Sequence, residues 1–159
     1  MQPRVRRIVT IVGGVAATVA VWVTPAPGQS PAAAEPDAVR TTRERYAGTW
    51  RVVALESGGT RVADGREIVV TNKTDGSWTI TVGDKVISRG TSRINPAASP
   101  PEIDIEVGEG TGKGTTLLGI YELDETSRRL CFRGAGGARP REFATAPDCG
   151  SLLVTFERQ

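Results

Sequence analysis

From Thr49 to the end of the chain, short apolar runs of strand length alternate with turn residues. Turn signals such as Asp75-Gly76 and Gly83-Asp84 separate neighbouring runs in the way that β-hairpins require. The predicted strands cover residues 50–55, 67–71, 78–82, 85–94, 102–107, 115–123, 128–133 and 151–158. Eight short strands joined mainly by near-neighbour turns predict an all-β domain, a small eight-stranded, mainly up-and-down antiparallel barrel. A two-sheet sandwich is the alternative.

The clearest alternation lies in residues 102–107, where Glu102, Asp104 and Glu106 alternate with three aliphatic residues. A period of two puts the carboxylates on one face of a strand and the aliphatic side chains on the other. The three carboxylates would spread along about 13 Å at the usual rise per residue, so they cannot all reach one cation. We therefore predict a solvated outer face, no metal site and no cofactor.

The beginning of the chain is basic and precedes an uncharged run, Ile8–Val23. This order is typical of an export signal, and we predict a signal peptide over residues 1–28, with an uncleaved membrane anchor as the alternative. The Pro- and Ala-rich residues 29–43 are predicted to be a disordered linker, with a helical turn or two beginning near Val39, and residues 44–159 to be the barrel domain. The domain would then be exported, periplasmic or otherwise extracytoplasmic or secreted, with membrane contact only through an uncleaved leader.

The composition excludes several classes of function. The sequence contains no histidine, which removes Ser-His-Asp and Cys-His catalysis. Removing Arg4, Arg6 and Arg7 of the leader from the 20 Lys and Arg leaves 17 basic residues against 18 Asp and Glu, a net charge of −1. A near-neutral domain lacks the positive field on which nucleic-acid binding depends. We expect a monomer with no nucleic-acid partner and no catalytic residues; an enzyme would need carboxylates such as Asp104 and Glu122 to converge in a cleft.

Cys131 and Cys149 are the only cysteines in the chain. An even number of cysteines in an exported protein favours a disulfide between them. Period-two alternation turns Leu130 and Phe132 inward, so Cys131 is predicted to point outward, where a free thiol would tend to be reactive.

Several short motifs occur in one order over nearly the whole domain. They are Gly48-Thr49-Trp50, Pro101-Glu102-Ile103-Asp104, Gly119-Ile120-Tyr121-Glu122-Leu123, Leu130-Cys131-Phe132, Arg139-Pro140 and a final apolar strand that ends near Arg158. In this combination the chain resembles the uncharacterised lipocalin-like domain family of exported planctomycete proteins. The resemblance implies a small lipocalin-like β-barrel and carries no established activity.

The beginning of the domain also resembles the first-strand motif of true lipocalins, which Gly48-x-Trp50 matches. In that motif the tryptophan closes one end of the barrel under a late arginine, and Arg158 could be that arginine. The resemblance therefore implies structural roles for Gly48, Trp50 and Arg158.

Two groups of side chains could bind a ligand in such a barrel. An eight-stranded barrel can hold one small molecule, and the aromatic candidates for its lining are Trp50, Trp78, Tyr121 and Phe132. Core packing is the alternative for these four. An anionic ligand or envelope polymer could instead dock on the locally basic region, which contains Arg128, Arg129, Arg133, Arg139 and Arg141. A solvated face balanced by the acidic strand is the alternative there.

Two hypotheses of function remain. The first is an exported, non-catalytic binding module for a small apolar ligand or a cell-envelope component, by analogy of fold. The second is a structural or protein-interaction module of the cell envelope with a filled barrel. An enclosed apolar cavity of a few hundred Å³ would favour the first hypothesis, and a packed interior would favour the second.

Overall fold

A computed structural model describes residues 35–62 and 67–159, and in these residues it contains one short helix and nine strands. The helix, α1, spans Asp37–Tyr46. The strands are β1 (Gly48–Ser57), β2 (Thr60–Arg61), β3 (Ile68–Asn72), β4 (Ser77–Val82), β5 (Lys85–Asn95), β6 (Glu102–Gly110), β7 (Thr116–Leu123), β8 (Ser127–Arg133) and β9 (Ser151–Arg158).

The strands form a closed antiparallel barrel, as the turn spacing predicted. From β3 to β9 each strand pairs with the next along the chain, and β1 pairs with both β3 and β9. The closing pair runs from Trp50 opposite Arg158 to Ser57 opposite Leu152. The ten residues of β1 are enough for it to pair with both β3 and β9, and these two pairings close the sheet. A two-sheet sandwich would lack this closure. The two-residue strand β2 pairs with the end of β1 as an extra strand outside the eight-stranded barrel.

Side chains of β6 follow the predicted alternation. Ile103, Ile105 and Val107 line the barrel interior. Glu102 and Asp104 lie on the opposite face of the strand, where both form salt bridges with Arg139. The amphipathic pattern of this strand therefore corresponds to an apolar inner face and an outer face of paired charges.

Helix α1 packs on the end of the barrel where β1 begins. Its last residue, Tyr46, is buried in the core, and Val39 packs against the same cluster. Arg43 donates a hydrogen bond from Nη1 to the carbonyl oxygen of Ser92 on β5, at 3.3 Å. We call this end of the barrel the closed end. The turns after β1, β4, β6 and β8 lie at the other end, which we call the mouth.

The helix corrects one predicted boundary. Residues 29–43 were predicted as a disordered linker with a helical turn or two beginning near Val39. The helical turns are confirmed, but the helix begins at Asp37, so residues 37–43 belong to α1, because the burial of Val39 and Tyr46 provides the apolar contact that the linker composition lacked. The predicted signal peptide, residues 1–28, lies outside the described residues. Within residues 35–62 and 67–159, no helix has the length and apolar character needed to cross a membrane.

Candidate functional site

The barrel interior contains a partly open cavity of about 320 Å³. All eight barrel strands contribute to its wall, and most of the lining side chains are aliphatic or aromatic. The cavity extends from Ile87 and Thr111 near the mouth to Tyr46 and Arg128 near the closed end. Eight-stranded barrels have room for one small ligand when their interior side chains leave such a space.

Arg128 is the one charged residue among the described residues that line this cavity. It is the second residue of β8 and is only 1% exposed. Its Nη1 donates a hydrogen bond of 2.7 Å to Oδ1 of Asn72, the last residue of β3. Its Nε is buried and donates no hydrogen bond to any described residue. Desolvation by burial lowers the pKa of the Arg128 guanidinium below its usual value.

Aromatic rings surround the guanidinium of Arg128 on several sides. Its Cζ lies 4.4 Å from the ring centroid of Phe156, 4.5 Å from that of Tyr46 and 4.7 Å from that of Trp50. These distances are those of cation–π interactions, which stabilise a desolvated arginine without supplying a negative charge. Within the described part of the chain, no carboxylate forms a salt bridge with Arg128.

The inward position of Arg128 is a correction to the sequence analysis, which grouped it with the solvated or anion-docking basic region. The signal was present in the sequence. Leu130 and Phe132 were predicted to face inward, and a period of two puts Arg128 on the same face as these residues. The structure has all three lining the cavity.

The structure divides the four aromatic candidates into two pairs. Trp78 and Phe132 line the cavity, and the indole Nε1 of Trp78 donates a hydrogen bond of 3.0 Å to the carbonyl oxygen of Thr91. Trp50 and Tyr121 do not line it. The guanidinium of Arg128 packs over the Trp50 ring, so Arg128 and not Trp50 forms the cavity wall at this point. The Tyr121 ring packs edge-on against Tyr46, with 5.8 Å between the ring centroids.

Gly48, Trp50 and Arg158 meet at the closed end. The Trp50 ring is completely buried, and its Nε1 donates a hydrogen bond of 3.0 Å to the carbonyl oxygen of Tyr46. The guanidinium of Arg158 lies over this ring, with Cζ 4.1 Å from the centroid. Gly48 has a φ of 130°, and a Cβ at this position would lie 2.6 Å from Nη1 of Arg158. The contacts are those of a packed end plug, and the three residues lie outside the cavity.

Arg158 also ties together the backbone around the plug. Its guanidinium donates hydrogen bonds to three carbonyl oxygens, those of Arg45 at 2.6 Å, Ala47 at 2.9 Å and Glu125 at 2.9 Å. The arginine therefore links the end of α1, the start of β1 and the turn between β7 and β8.

On the outer surface, Arg129 and Arg139 of the predicted basic region pair with carboxylates, whereas Arg133 and Arg141 form no salt bridge with a described residue. Arg139 contacts Oδ1 of Asp104 at 2.5 Å and Oε1 of Glu102 at 3.4 Å, and it donates hydrogen bonds to two carbonyl oxygens of β6 and β7. Arg129 pairs with Glu122 at 2.9 Å. Asp104 and Glu122 thus bind different arginines on the outer face instead of converging on one cleft.

Both cysteines are free thiols in the structure, so the predicted disulfide is not formed. Cys131 points away from the barrel interior, as predicted, but it is completely buried, because Phe143 and the rest of the segment between β8 and β9 cover it. Burial raises the pKa of the Cys131 thiol, so the expected exposed and reactive thiol at this position is wrong.

Cys149 has a different environment from Cys131. Its sulfur accepts hydrogen bonds from the backbone N–H of Ala146 at 3.1 Å and of Ser151 at 3.4 Å. Hydrogen bonding, chiefly from the Ser151 side chain, lowers the pKa of the Cys149 thiol. Because Leu153 pairs with Cys131, Cys149 is out of register with its predicted partner.

Comparison with known proteins yields no family for this chain: no family model matches it, and neither does any curated protein or solved structure. The functional interpretation therefore depends on the cavity and on the chemistry of the side chains that line it.

Proposed function

We propose that the domain is a non-catalytic binding module that takes a small apolar ligand into its barrel. The observation that carries this proposal is the cavity of about 320 Å³ with its mainly apolar wall. Protein interiors normally pack to the density of organic crystals, with few voids larger than a water molecule. A cavity at the lower end of the usual range for small-molecule sites is therefore a feature that a ligand would explain.

The interior site is a better candidate than the outer surface. A structural module with a filled barrel would leave no such cavity in the core. An envelope component bound on the outside would need free charges or an apolar patch. Two arginines of the predicted docking region, Arg129 and Arg139, are already paired with carboxylates, which leaves Arg133 and Arg141 as its unpaired charges among the described residues. The larger and mainly apolar site is the barrel interior.

We also propose that the domain is exported and lipocalin-like, as the sequence analysis suggested. The basic leader with its uncharged run, Ile8–Val23, supports export to the cell envelope or beyond. The ordered motifs and the barrel topology support the resemblance to the lipocalin-like planctomycete domains. The Cys131–Cys149 disulfide is left out of this proposal, since the two thiols are free.

The test is binding of an environment-sensitive apolar dye, together with native mass spectrometry of the protein purified from its own envelope. Val70 lines the cavity and its neighbour Val69 does not. Val70→Phe should fill part of the cavity and weaken dye binding at least tenfold, while the control Val69→Phe should leave it within about twofold. A folded wild-type protein that binds no dye and retains no small molecule would overturn the proposal.

A further inference from the structure

Arg128 is a cation buried at the deep end of an apolar cavity, and no described carboxylate compensates its charge. An ionised group is rarely buried in a protein without a partner of opposite charge, because the lost hydration is not recovered. Three aromatic rings and the amide oxygen of Asn72 compensate part of the hydration that Arg128 loses on burial. They leave the guanidinium with a full positive charge and with a buried Nε–H donor that has no acceptor among the described residues.

The charge of the cavity lies at its closed end, whereas uncharged polar side chains line both ends. Near the closed end the wall contains Asn72, Ser92 and Arg128, and the Ser92 hydroxyl already donates to the carbonyl oxygen of Gly76 at 3.2 Å. Toward the mouth the wall is mainly aliphatic, although Ser88 and Thr111 also line it, and the Ser88 hydroxyl already donates to the carbonyl oxygen of Glu109 at 3.0 Å. A ligand that matches this wall has one anionic end and an uncharged, mainly apolar remainder.

We propose that the cavity binds an amphiphile with a carboxylate head, of the class of medium-chain fatty acids, whose head pairs with Arg128 and whose tail points to the mouth. This inference rests on the proposed function and specifies its ligand. A guanidinium presents parallel N–H donors that match the two oxygens of a carboxylate. The pair would be desolvated, so the hydrogen bonds would be strong.

The charge and size of the cavity narrow the ligand further. A carboxylate carries one negative charge, which one arginine neutralises, whereas a dianionic phosphate would leave a second charge buried without a partner. A volume of about 320 Å³ holds on the order of ten non-hydrogen atoms, if each takes about the 30 Å³ of a water molecule in the liquid. We therefore expect a fatty acid of roughly eight to ten carbons. The tail of a longer fatty acid, of roughly 16 carbons, would project from the mouth.

The mouth provides an apolar exit for such a tail. Val86 and Ile87, which follow the turn between β4 and β5, are 47% and 38% exposed. Ile87 also lines the cavity, so the apolar wall continues to the outer rim of the barrel.

The test compares decanoate with decanol, two ligands with the same chain and different heads, by isothermal titration calorimetry on the full chain. The wild type should bind decanoate at least tenfold more tightly than decanol. Arg128→Met should weaken decanoate binding on the order of 10- to 100-fold, the usual effect of losing one charge-assisted hydrogen bond pair, and should change decanol binding by less than about threefold.

A second variant, Asn72→Asp, tests the proposal in case Arg128→Met fails to fold. Asn72→Asp has nearly the same shape and adds a carboxylate 2.7 Å from Nη1 of Arg128, so it should supply the missing counter-ion internally. It should abolish the preference for decanoate while decanol still binds. The matched control is Arg129→Gln, which removes a partly exposed, outward-facing arginine of the same strand and should preserve the preference.

The possible results separate the two proposals. If decanol binds as tightly as decanoate in the wild type, or if Asn72→Asp keeps the preference for decanoate, the carboxylate head is ruled out and the apolar binding module stands. If the folded wild type binds neither decanoate, decanol nor the dye, both proposals fail. A preference that Arg129→Gln keeps and Asn72→Asp loses supports the assignment of Arg128 as the head-group site.

Discussion

Trp50 is the side chain on which the closed end of the barrel depends. It is completely buried between the guanidinium groups of Arg128 and Arg158, and its indole N–H is bonded to the carbonyl oxygen of Tyr46. We expect Trp50→Ala to lower the free energy of unfolding by about 3–5 kcal/mol, because it removes the ring from a packed core. Chemical denaturation measures the change.

The conservative variant distinguishes the ring from its hydrogen bond. Trp50→Phe retains most of the buried area and loses only the N–H donor, so its cost should be less than half that of Trp50→Ala. A loss below about 1 kcal/mol for Trp50→Ala would contradict the role of the ring as an end plug.

Tyr121 is a second buried residue with a testable polar group. It is 3% exposed, and its hydroxyl is buried without a hydrogen-bond partner in the described part of the chain. Because an unpaired buried hydroxyl costs free energy, Tyr121→Phe should leave the protein as stable as the wild type or more stable by about 1 kcal/mol. A loss of more than about 1 kcal/mol in urea denaturation would mean that the hydroxyl has a partner.

The same tyrosine predicts a loss of stability in alkali. Burial raises the pKa of Tyr121 from 10.0 to about 12. Below about pH 10 the Tyr121 phenol is neutral in both the folded and the unfolded protein, and its contribution to the free energy of unfolding is fully present. Above about pH 10 the phenol ionises in the unfolded chain first. The free energy of unfolding therefore falls with pH until the phenol also ionises in the folded protein, near pH 12. Burial also raises the pKa of Tyr46, so in unfolding measured across this range Tyr121→Phe should remove part of this slope and leave the part due to Tyr46. An unchanged slope in Tyr121→Phe would assign the whole effect to other groups.

At the scale of elements, α1 owes its stability to the barrel. A ten-residue helix is marginal on its own in water, and its N-cap residue, Pro36, forms no side-chain capping hydrogen bond. Arg43 joins the helix to β5 through the carbonyl oxygen of Ser92 and also pairs with Glu35 at 2.7 Å. Arg40 pairs only with the exposed Asp37.

These two arginines form a matched pair for a stability measurement. Arg43→Ala should lower the free energy of unfolding by about 1–2 kcal/mol, because it removes a partly buried hydrogen bond. Arg40→Ala should change it by less than about 0.5 kcal/mol, because its ion pair is exposed. Equal effects of the two substitutions in thermal denaturation would show that α1 contributes nothing by docking on β5.

The segment between β8 and β9 sets the reactivity of the two cysteines. It buries Cys131 under Phe143 and leaves Cys149 partly exposed, with a lowered pKa. We expect a thiol reagent to label Cys149 at least tenfold faster than Cys131 in the folded protein, since the thiolate is the reactive form. Cys149→Ser should remove the fast phase, and Cys131→Ser should keep it. A non-reducing mass measurement that finds no free thiol would instead restore the disulfide.

For the whole molecule, closure of the sheet depends on the last strand. β9 pairs with β8 on one side and with β1 on the other, and its Val154 and Phe156 line the cavity. A chain that ends at Gly150 would therefore have two unpaired sheet edges and an opened core. It should aggregate instead of eluting as a folded monomer in size-exclusion chromatography, whereas removal of Gln159 alone should not change the elution. A soluble, cooperatively unfolding product without β9 would contradict this dependence.

Much of the barrel could be predicted because local patterns encode it. Turn pairs and alternating apolar residues identified all eight barrel strands, with ends that differ from the structure by a few residues at most. The two-residue β2 was not predicted, because Thr60–Arg61 has no alternation of its own and forms a strand only by pairing with the end of β1. Likewise, α1 extends into the predicted linker because tertiary burial stabilises it.

The sequence by itself determined the barrel class and the in-and-out alternation of its strands, because both depend on the spacing of residues along the chain. It also placed Arg128 on the same face as Leu130 and Phe132. Only the tertiary structure decided that a cavity remains among these side chains, that Arg128 has no described carboxylate partner, and that Phe143 covers Cys131. Those properties depend on which side chains from distant strands and loops meet, and no local pattern specifies that.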